Sequence, residues 1–274
     1  MKILKQIYHK LPFTTLLKAL LSEVSRLRAI QAAQFRYTLL HSNPSLSNPL
    51  SLASYEHRVF SQSGEDGVIR EIFNRIGTTN QYFVEFGVEN GLENNTRFLL
   101  QQGWHGSWIE GNERMSIQIR KTFHSYLSQG TLTLLNAYIT AENIDPFLCQ
   151  LKVPLELDFL SIDIDGNDYW VWKALDRWKP RVLVIEYNGH FPANCEWIMP
   201  YNSSHCWDGT SHFGASLKAL ELIGRAKGYK LVYCNLAGSN AFFVSADVAK
   251  SHFPPQDTAE YHFQPFRPYL IVKN

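Results

Sequence analysis

Near its end the chain carries two apolar runs, residues 231–235 (LVYCN) and 241–245 (AFFVS), separated by only five residues, LAGSN. A five-residue glycine-containing turn accommodates an antiparallel hairpin and leaves no room for a crossover helix. Upstream, from residue 60 onward, strand-length apolar runs alternate instead with amphipathic helical stretches. That alternation is the pattern of a mostly parallel sheet with helices on both faces. The two patterns together predict a doubly wound α/β sheet, mostly parallel, that finishes in a C-terminal antiparallel hairpin.

The spacing predicts a helix over 64–76, with Val68, Ile69, Ile72, Phe73 and Ile76 on one face. Strands are expected at 82–86, 106–110, 131–138, 159–163 and 181–187, and helices at 95–102, 113–126, 169–175 and 216–227. The segment 42–54, SNPSLSNPLSLAS, is rich in Ser, Pro and Asn and reads as a linker. It divides the chain into an N-terminal helical extension (1–41), a linker (42–58) and a main domain (59–274). The extension is basic, with Lys2, Lys5, Lys10, Lys18, Arg26, Arg28 and Arg36 against Glu23. Its Leu11, Phe13, Leu16, Leu17, Leu20 and Leu21 sit at helical spacing, and Pro12 is expected to interrupt a continuous helix. Such a helix can lie on an anionic membrane surface, serve as a transit peptide, or pack on its own domain or a sister subunit. Packing is preferred, and a homo-oligomer is expected.

The net charge of +1 over 274 residues excludes a globally basic, nucleic-acid-binding surface. Cys149, Cys195, Cys206 and Cys234 are scattered, which suits neither a disulfide framework nor a zinc site. Reduced thiols and a cytoplasmic setting are expected. No apolar run approaches the roughly 20 residues that span a bilayer.

In an open parallel sheet, ligands bind beyond the carboxyl ends of the strands, near the point where strand order reverses. The polar residues ending each expected strand are therefore the candidates. The first run ends FVEFGVENG, with Glu85, Gly87 and Gly91. The glycines let the backbone turn tightly and approach a ligand. Their spacing is not the three-glycine fingerprint that seats a pyrophosphate, and it suits a ligand without phosphates. On their own they equally mark a plain strand-to-helix turn. Glu110 ends the second run, about 20 residues past the glycine turn, where it can accept hydrogen bonds from ribose hydroxyls. Asn136 ends the third, beside the place an adenine would take.

The fourth run ends LSIDIDGNDY, with Asp163, Asp165 and Asp168 crowded together. Such crowding raises carboxylate pKa values unless a cation or donors compensate. It is open to three readings: a magnesium-type oxygen site, a catalytic base, or contact with a ligand's positive charge. Asp168 is expected to cap the following helix and Asp165 to shape the turn, with the functional weight on Asp163. Glu186 and Asn188 end the fifth run and face the same cleft. The long segment 189–213 carries His190, His205, Trp207, Asp208 and His212. A loop of this length is expected to be a lid over bound substrate, with His190 as the candidate base.

These motifs carry a resemblance. Residues 83–91 (FVEFGVENG) are similar to the glycine-rich first motif of the FkbM-type branch of class I S-adenosylmethionine-dependent methyltransferases. Residues 163–168 (DIDGND) resemble that branch's pattern after the fourth strand, 182–186 (VLVIE) its fifth strand, and 61–66 (SQSGED) a lead-in to the first. The likeness covers about residues 60–245 and departs in Val88 and Glu89, where small residues are common. It implies a Rossmann-like class I methyltransferase fold, with S-adenosylmethionine held by the turn at Gly87, by Glu110, and by groups near Asn136 and Asp163. It also implies O-methylation of a hydroxyl on a sugar, glycan or related small natural product. Macrocin-type relatives hold a magnesium ion after strands four and five, where Asp163, Asp165 and Asn188 are the equivalents here. Two other readings stay open: a metal-dependent nucleotide-sugar glycosyltransferase, from the Asp163-Ile164-Asp165 pattern, and a non-catalytic scaffold.

Overall fold

The seven strands of the computed structural model, which describes residues 12–271, form one sheet. They are β1 (Tyr82–Phe86), β2 (His105–Glu110), β3 (Leu132–Asn136), β4 (Glu156–Ile162), β5 (Lys179–Glu186), β6 (Tyr229–Cys234) and β7 (Asn240–Ser245). Their order across the sheet is β3-β2-β1-β4-β5-β7-β6. The pairings of β1 with β2 and β4, β2 with β3, and β4 with β5 are parallel, and β7 runs antiparallel to both β5 and β6. This is the doubly wound sheet with a closing hairpin. Its strand order reverses between β1 and β4, so the connections leaving their carboxyl ends run to opposite sides and open a crevice.

The strands are near-continuous apolar runs because both faces of the sheet are covered. Phe83, Phe159, Val182 and Val184 pack into one core layer, while Val84, Phe86, Leu160, Ile162, Leu183 and Ile185 pack into the other. The covering helices are α1 (Pro12–Ser42), α2 (Glu65–Ile76), α3 (Arg97–Gln101), α4 (Glu113–Thr122), α5 (His124–Ser128), α6 (Ile144–Gln150), α7 (Asp168–Ala174) and α8 (Leu217–Ala226). Asn112 caps α4, accepting from the amides of Arg114 and Met115, and Ser216 caps α8 by accepting from Ala219 N.

At the opposite edge of the sheet, buried Asp158 holds three strands together. Its carboxylate accepts from the amides of Thr79 and Gln81, each at 2.8 Å, and from Arg181 Nη1 on β5 at 2.8 Å. The approach to β1 is thereby tied to β4 and β5.

Several expectations are corrected. The helix expected over 113–126 divides into α4 and α5 at Phe123. Helix α6 was not foreseen, since IDPFLCQ is short and places Pro146 in its first turn, where proline is tolerated. The described part of α1 begins at Pro12, and the residues before it, on which the expected interruption turns, lie outside the described residues. The stretch read as a linker is packed down, with Leu46, Leu52 and Ala53 buried in the core. The basic residues Lys2, Lys5 and Lys10 and the apolar Leu11 lie outside the described residues. Among the described residues no helix is long and apolar enough to cross a membrane. All four cysteines are free thiols.

Candidate active site at the carboxyl edge of the sheet

The crevice between β1 and β4 is a cleft of about 630 Å³, within the range of cofactor sites. Gly87 forms its hinge. Its φ of 73° is left-handed, and its amide donates to Ile109 O at 3.0 Å. A Cβ there would lie 1.6 Å from Asp163 O, so only glycine lets the ends of β1 and β4 approach this closely.

Glu110 sits across the cleft at the end of β2. Its Oε2 accepts from Glu89 N at 2.8 Å and its Oε1 from Asn112 N at 2.7 Å. One carboxylate therefore organises both loops bordering the β1/β2 half of the cleft. Burial raises its pKa, against the two amides that stabilise the charge.

Other expected cofactor contacts are placed differently. Asn136 does not line the cleft; its Nδ2 donates to Glu110 O at 2.7 Å and Gly111 O at 3.2 Å, holding the end of β3 to β2. The following residues Ala137, Tyr138 and Ile139 line the cleft in its place, with Met115 opposite. Gly111 was overlooked: a Cβ there would meet the Tyr138 ring at 2.5 Å. Gly91 does not line the cleft; a Cβ there would lie 2.8 Å from the Trp108 and Phe123 rings. Glu85 lies on the cleft floor but spends its oxygens on Asn95 N, Thr96 N and the Thr96 hydroxyl, shaping the loop after β1. Burial pushes its pKa up to about 7.

The other half of the cleft is acidic. Oxygens of Asp163, Asp165 and Glu186 all lie within 4.8 Å of one another. Burial, then the neighbouring Asp165 and Asp168, raise Asp163 well above the usual carboxylate range, and burial with Asp163 does the same to Glu186. Glu186 Oε2 is buried and accepts no hydrogen bond. An orphaned oxygen inside an all-carboxylate donor set suits a hard divalent cation such as magnesium.

Asp168 is not the helix cap expected. It is the first residue of α7 and folds the turn before it, accepting from Ile164 N and Gly166 N, each at 2.9 Å. Asn188 is not part of the acidic cluster. Its buried amide donates to Ser211 O and Phe213 O and accepts from His190 N, which closes the loop after β5. Glu186, two residues earlier on the same face, takes the place expected of Asn188.

That loop returns over the cleft. Asn167 Nδ2 donates to Asn202 O and Trp170 Nε1 to Met199 O, pinning the loop to the β4–α7 turn and to α7. Residues 203–207 then line the cleft, including His205 and Trp207. His205 Nε2 sits 3.2 Å from Asp165 O. His190 lies outside the cleft, exposed, with its ring 5.2 Å from that of Phe266. The cleft's histidine is therefore His205. Glu89 and Asp165 adopt left-handed backbone, with φ of 49° and 55°, so two non-glycine lining residues carry strain.

Charge decides what this cleft can hold. It is lined by the carboxylates of Glu65, Glu85, Glu89, Glu93, Glu110, Asp163, Asp165 and Glu186, and by no Lys or Arg among the described residues. Such a lining favours a cationic or neutral ligand and repels an uncompensated phosphate or carboxylate.

Sheet order and cleft position together define the Rossmann-like class I methyltransferase fold. No protein-family model matches the chain, and no curated protein matches it. Among solved structures it is similar to a candidate caffeoyl-CoA O-methyltransferase from Staphylococcus aureus, at 13% identity over 79% of this chain and 99% of that one, with a TM-score of 0.48. It is also similar to the N-terminal domain of EvdMO1 with SAH bound, at 13% identity, 66% and 79% coverage and a TM-score of 0.42. An O-methyltransferase from Bacillus cereus in complex with SAH matches at 14% identity, 59% and 66% coverage and a TM-score of 0.35. These likenesses place no residue; the roles assigned here rest on the geometry of the cleft.

Proposed function

We propose that this chain is an S-adenosylmethionine-dependent O-methyltransferase acting on a hydroxyl of a sugar, glycan or related small natural product. The observation that carries the reading is the cleft at the β1/β4 switch point, with a glycine hinge, the Glu110 carboxylate at the end of β2, and a lining that holds eight carboxylates and no Lys or Arg among the described residues. A sulfonium cation is attracted to such a lining, whereas a sugar nucleotide brings a diphosphate for which no Lys or Arg is provided. A diphosphate would depend wholly on a cation at Asp163, Asp165 and Glu186, so the methyltransferase reading is favoured over the metal-dependent glycosyltransferase.

In this proposal Glu110 accepts the ribose hydroxyls, and Tyr138 and Met115 flank the adenine. The acceptor lies over the ends of β4 and β5, under residues 203–207. Its oxygen attacks the methyl carbon in line with the carbon–sulfur bond. The bond electrons pass to sulfur, leaving neutral S-adenosylhomocysteine, and the hydroxyl proton passes to the Asp163 carboxylate at the end of β4. Asp163, Asp165 and Glu186 would hold a magnesium ion, which supplies positive charge to stabilise the developing alkoxide. Positioning accounts for much of the rate, since well-held reactants gain roughly 7–11 kcal/mol.

The test is incubation with methyl-labelled S-adenosylmethionine and a panel of sugar and polyol acceptors, with and without magnesium. Label in a base-stable methyl ether supports the reading. Transfer to nitrogen alone, or none to any acceptor by a protein that binds the cofactor, contradicts the O-methylation.

A further inference from the structure

At the rim of the cleft Glu186 on β5 and Asn240 on β7 are paired across the antiparallel register. Two positions along, Val184 and Phe242 pack into the core layer that also holds Val68, Ile69 and Ile72 of α2. Side chains alternate along a strand, so Glu186 and Asn240 project to that same face. Glu65, the first residue of α2, meets Asn240 there, its Oε1 accepting from Asn240 Nδ2 at 3.0 Å. Asn94 lines the same cleft from the loop after β1, which is tied to β4 where Asn95 Nδ2 donates to Ser161 Oγ at 3.0 Å.

Asn94 and Asn240 are only 7% and 8% exposed, and each spends just one end of its amide on the fold. Asn94 Oδ1 accepts from Arg97 N at 3.0 Å, and Asn240 Nδ2 is held by Glu65. Those bonds fix which end of each amide is which. The other ends, Asn94 Nδ2 and Asn240 Oδ1, are buried with no hydrogen-bond partner. Buried polar groups are nearly always paired, so two orphaned amide ends on the lining of one cleft point to a ligand that pairs them. Asn240 stands four strands from Glu110 in the sheet order, beyond Asp163 and Glu186, and so away from the groups assigned to the cofactor.

One orphan is a donor and the other an acceptor. A phosphate or carboxylate offers acceptors alone and an ammonium group donors alone, whereas each hydroxyl both donates and accepts. The carboxylates of Glu65 and Glu186 beside Asn240 add repulsion toward any anion. We propose that Asn94 and Asn240 form the acceptor subsite of the cleft, which takes an uncharged sugar by its hydroxyls and rejects the corresponding acidic sugar. Calling that ligand the acceptor rests on the methyl-transfer reading; its binding does not.

The test is saturation-transfer NMR on the full chain with the methyl pyranosides of glucose, galactose and mannose and their uronates. At least one neutral pyranoside is expected to receive saturation, and its uronate none. Asn94→Asp keeps the oxygen that holds Arg97 N and exchanges the orphaned donor for an acceptor, so it should fold and bind that pyranoside about tenfold more weakly. Asn240→Ala, at the other orphan, should weaken it similarly, and thermal unfolding checks both folds. A uronate bound as well as its neutral sugar, no binding of any pyranoside, or binding indifferent to Asn94→Asp would overturn the subsite. S-adenosylhomocysteine is titrated into the same samples. Sugar binding without it upholds the subsite and contradicts the methyl-transfer reading, and its binding without any sugar does the reverse.

Discussion

Gly87 and Asp163 meet across the β1/β4 switch point with the Asp163 carbonyl oxygen only 1.6 Å from where a Cβ on Gly87 would lie. The contact joins the turn that borders the β1/β2 half of the cleft to the residue that begins its acidic half. A methyl group here meets backbone, which cannot rotate away, and Gly87 also has a φ of 73°. Gly87→Ala is therefore expected to lose about 3 kcal/mol or more of stability. Urea denaturation checks it, and a variant as stable as wild type would contradict the close approach.

Asp163 should trade stability for function. Its carboxylate is crowded by Asp165, Asp168 and Glu85, which raises its pKa together with burial. An acid whose folded pKa lies above its unfolded value stabilises the fold at low pH and ceases to do so as pH rises through the folded value. Asp163→Asn removes that loss, so the variant should be more stable than wild type by a margin that widens as pH rises above the ordinary carboxylate range. Methyl transfer should fall by roughly 10²–10⁴. Magnesium should raise the melting temperature of wild type and leave that of the variant unchanged.

Glu56 offers a pH test away from the cleft. Burial pushes its pKa up from 4.5 to about 7, even though Arg36 lowers it. Its contribution is full below pH 4.5 and is lost as pH rises through 7, the reverse of an ordinary salt-bridged carboxylate. Relative to Glu56→Gln, wild type should lose at most about 3 kcal/mol across that interval. Denaturant midpoints measured from pH 5 to pH 8 read this directly, and parallel curves for the two proteins would contradict it.

Two of the three histidines of the β5–α8 loop, His190 and His205, separate cleanly. His190→Ala should leave transfer kinetics unchanged, because the side chain lies against Phe266 outside the cleft. His205→Ala removes a lining side chain beside Asp165 and should raise the KM for the acceptor more than it lowers kcat. The opposite ranking would restore His190 as the base.

The strand ends were legible because each strand buries both faces, so the first acid after an apolar run marks the rim of the sheet. Gly87, Glu110, Asp163 and Asp165 all reach the cleft for that reason. What the strand ends could not reveal is how the loops fold back. Glu186 and Asn188 share a face in sequence, yet β5 ends at Glu186 and Asn188 is drawn into loop carbonyls. Gly91 and Asn136 have the right residue type at a rim, but aromatic packing and backbone carbonyls claim them. The buried leucines of residues 42–54 are too sparsely spaced to show periodicity, so composition alone suggested a linker.

Isothermal titration with S-adenosylhomocysteine, in wild type and in Glu110→Gln, tests the central claim most directly. Wild type should bind with a dissociation constant on the order of micromolar. The variant, which keeps the size of the side chain but loses its charge, should bind about 10- to 100-fold more weakly. No heat of binding in wild type, or equal affinity in both proteins, would contradict the assignment of this cleft.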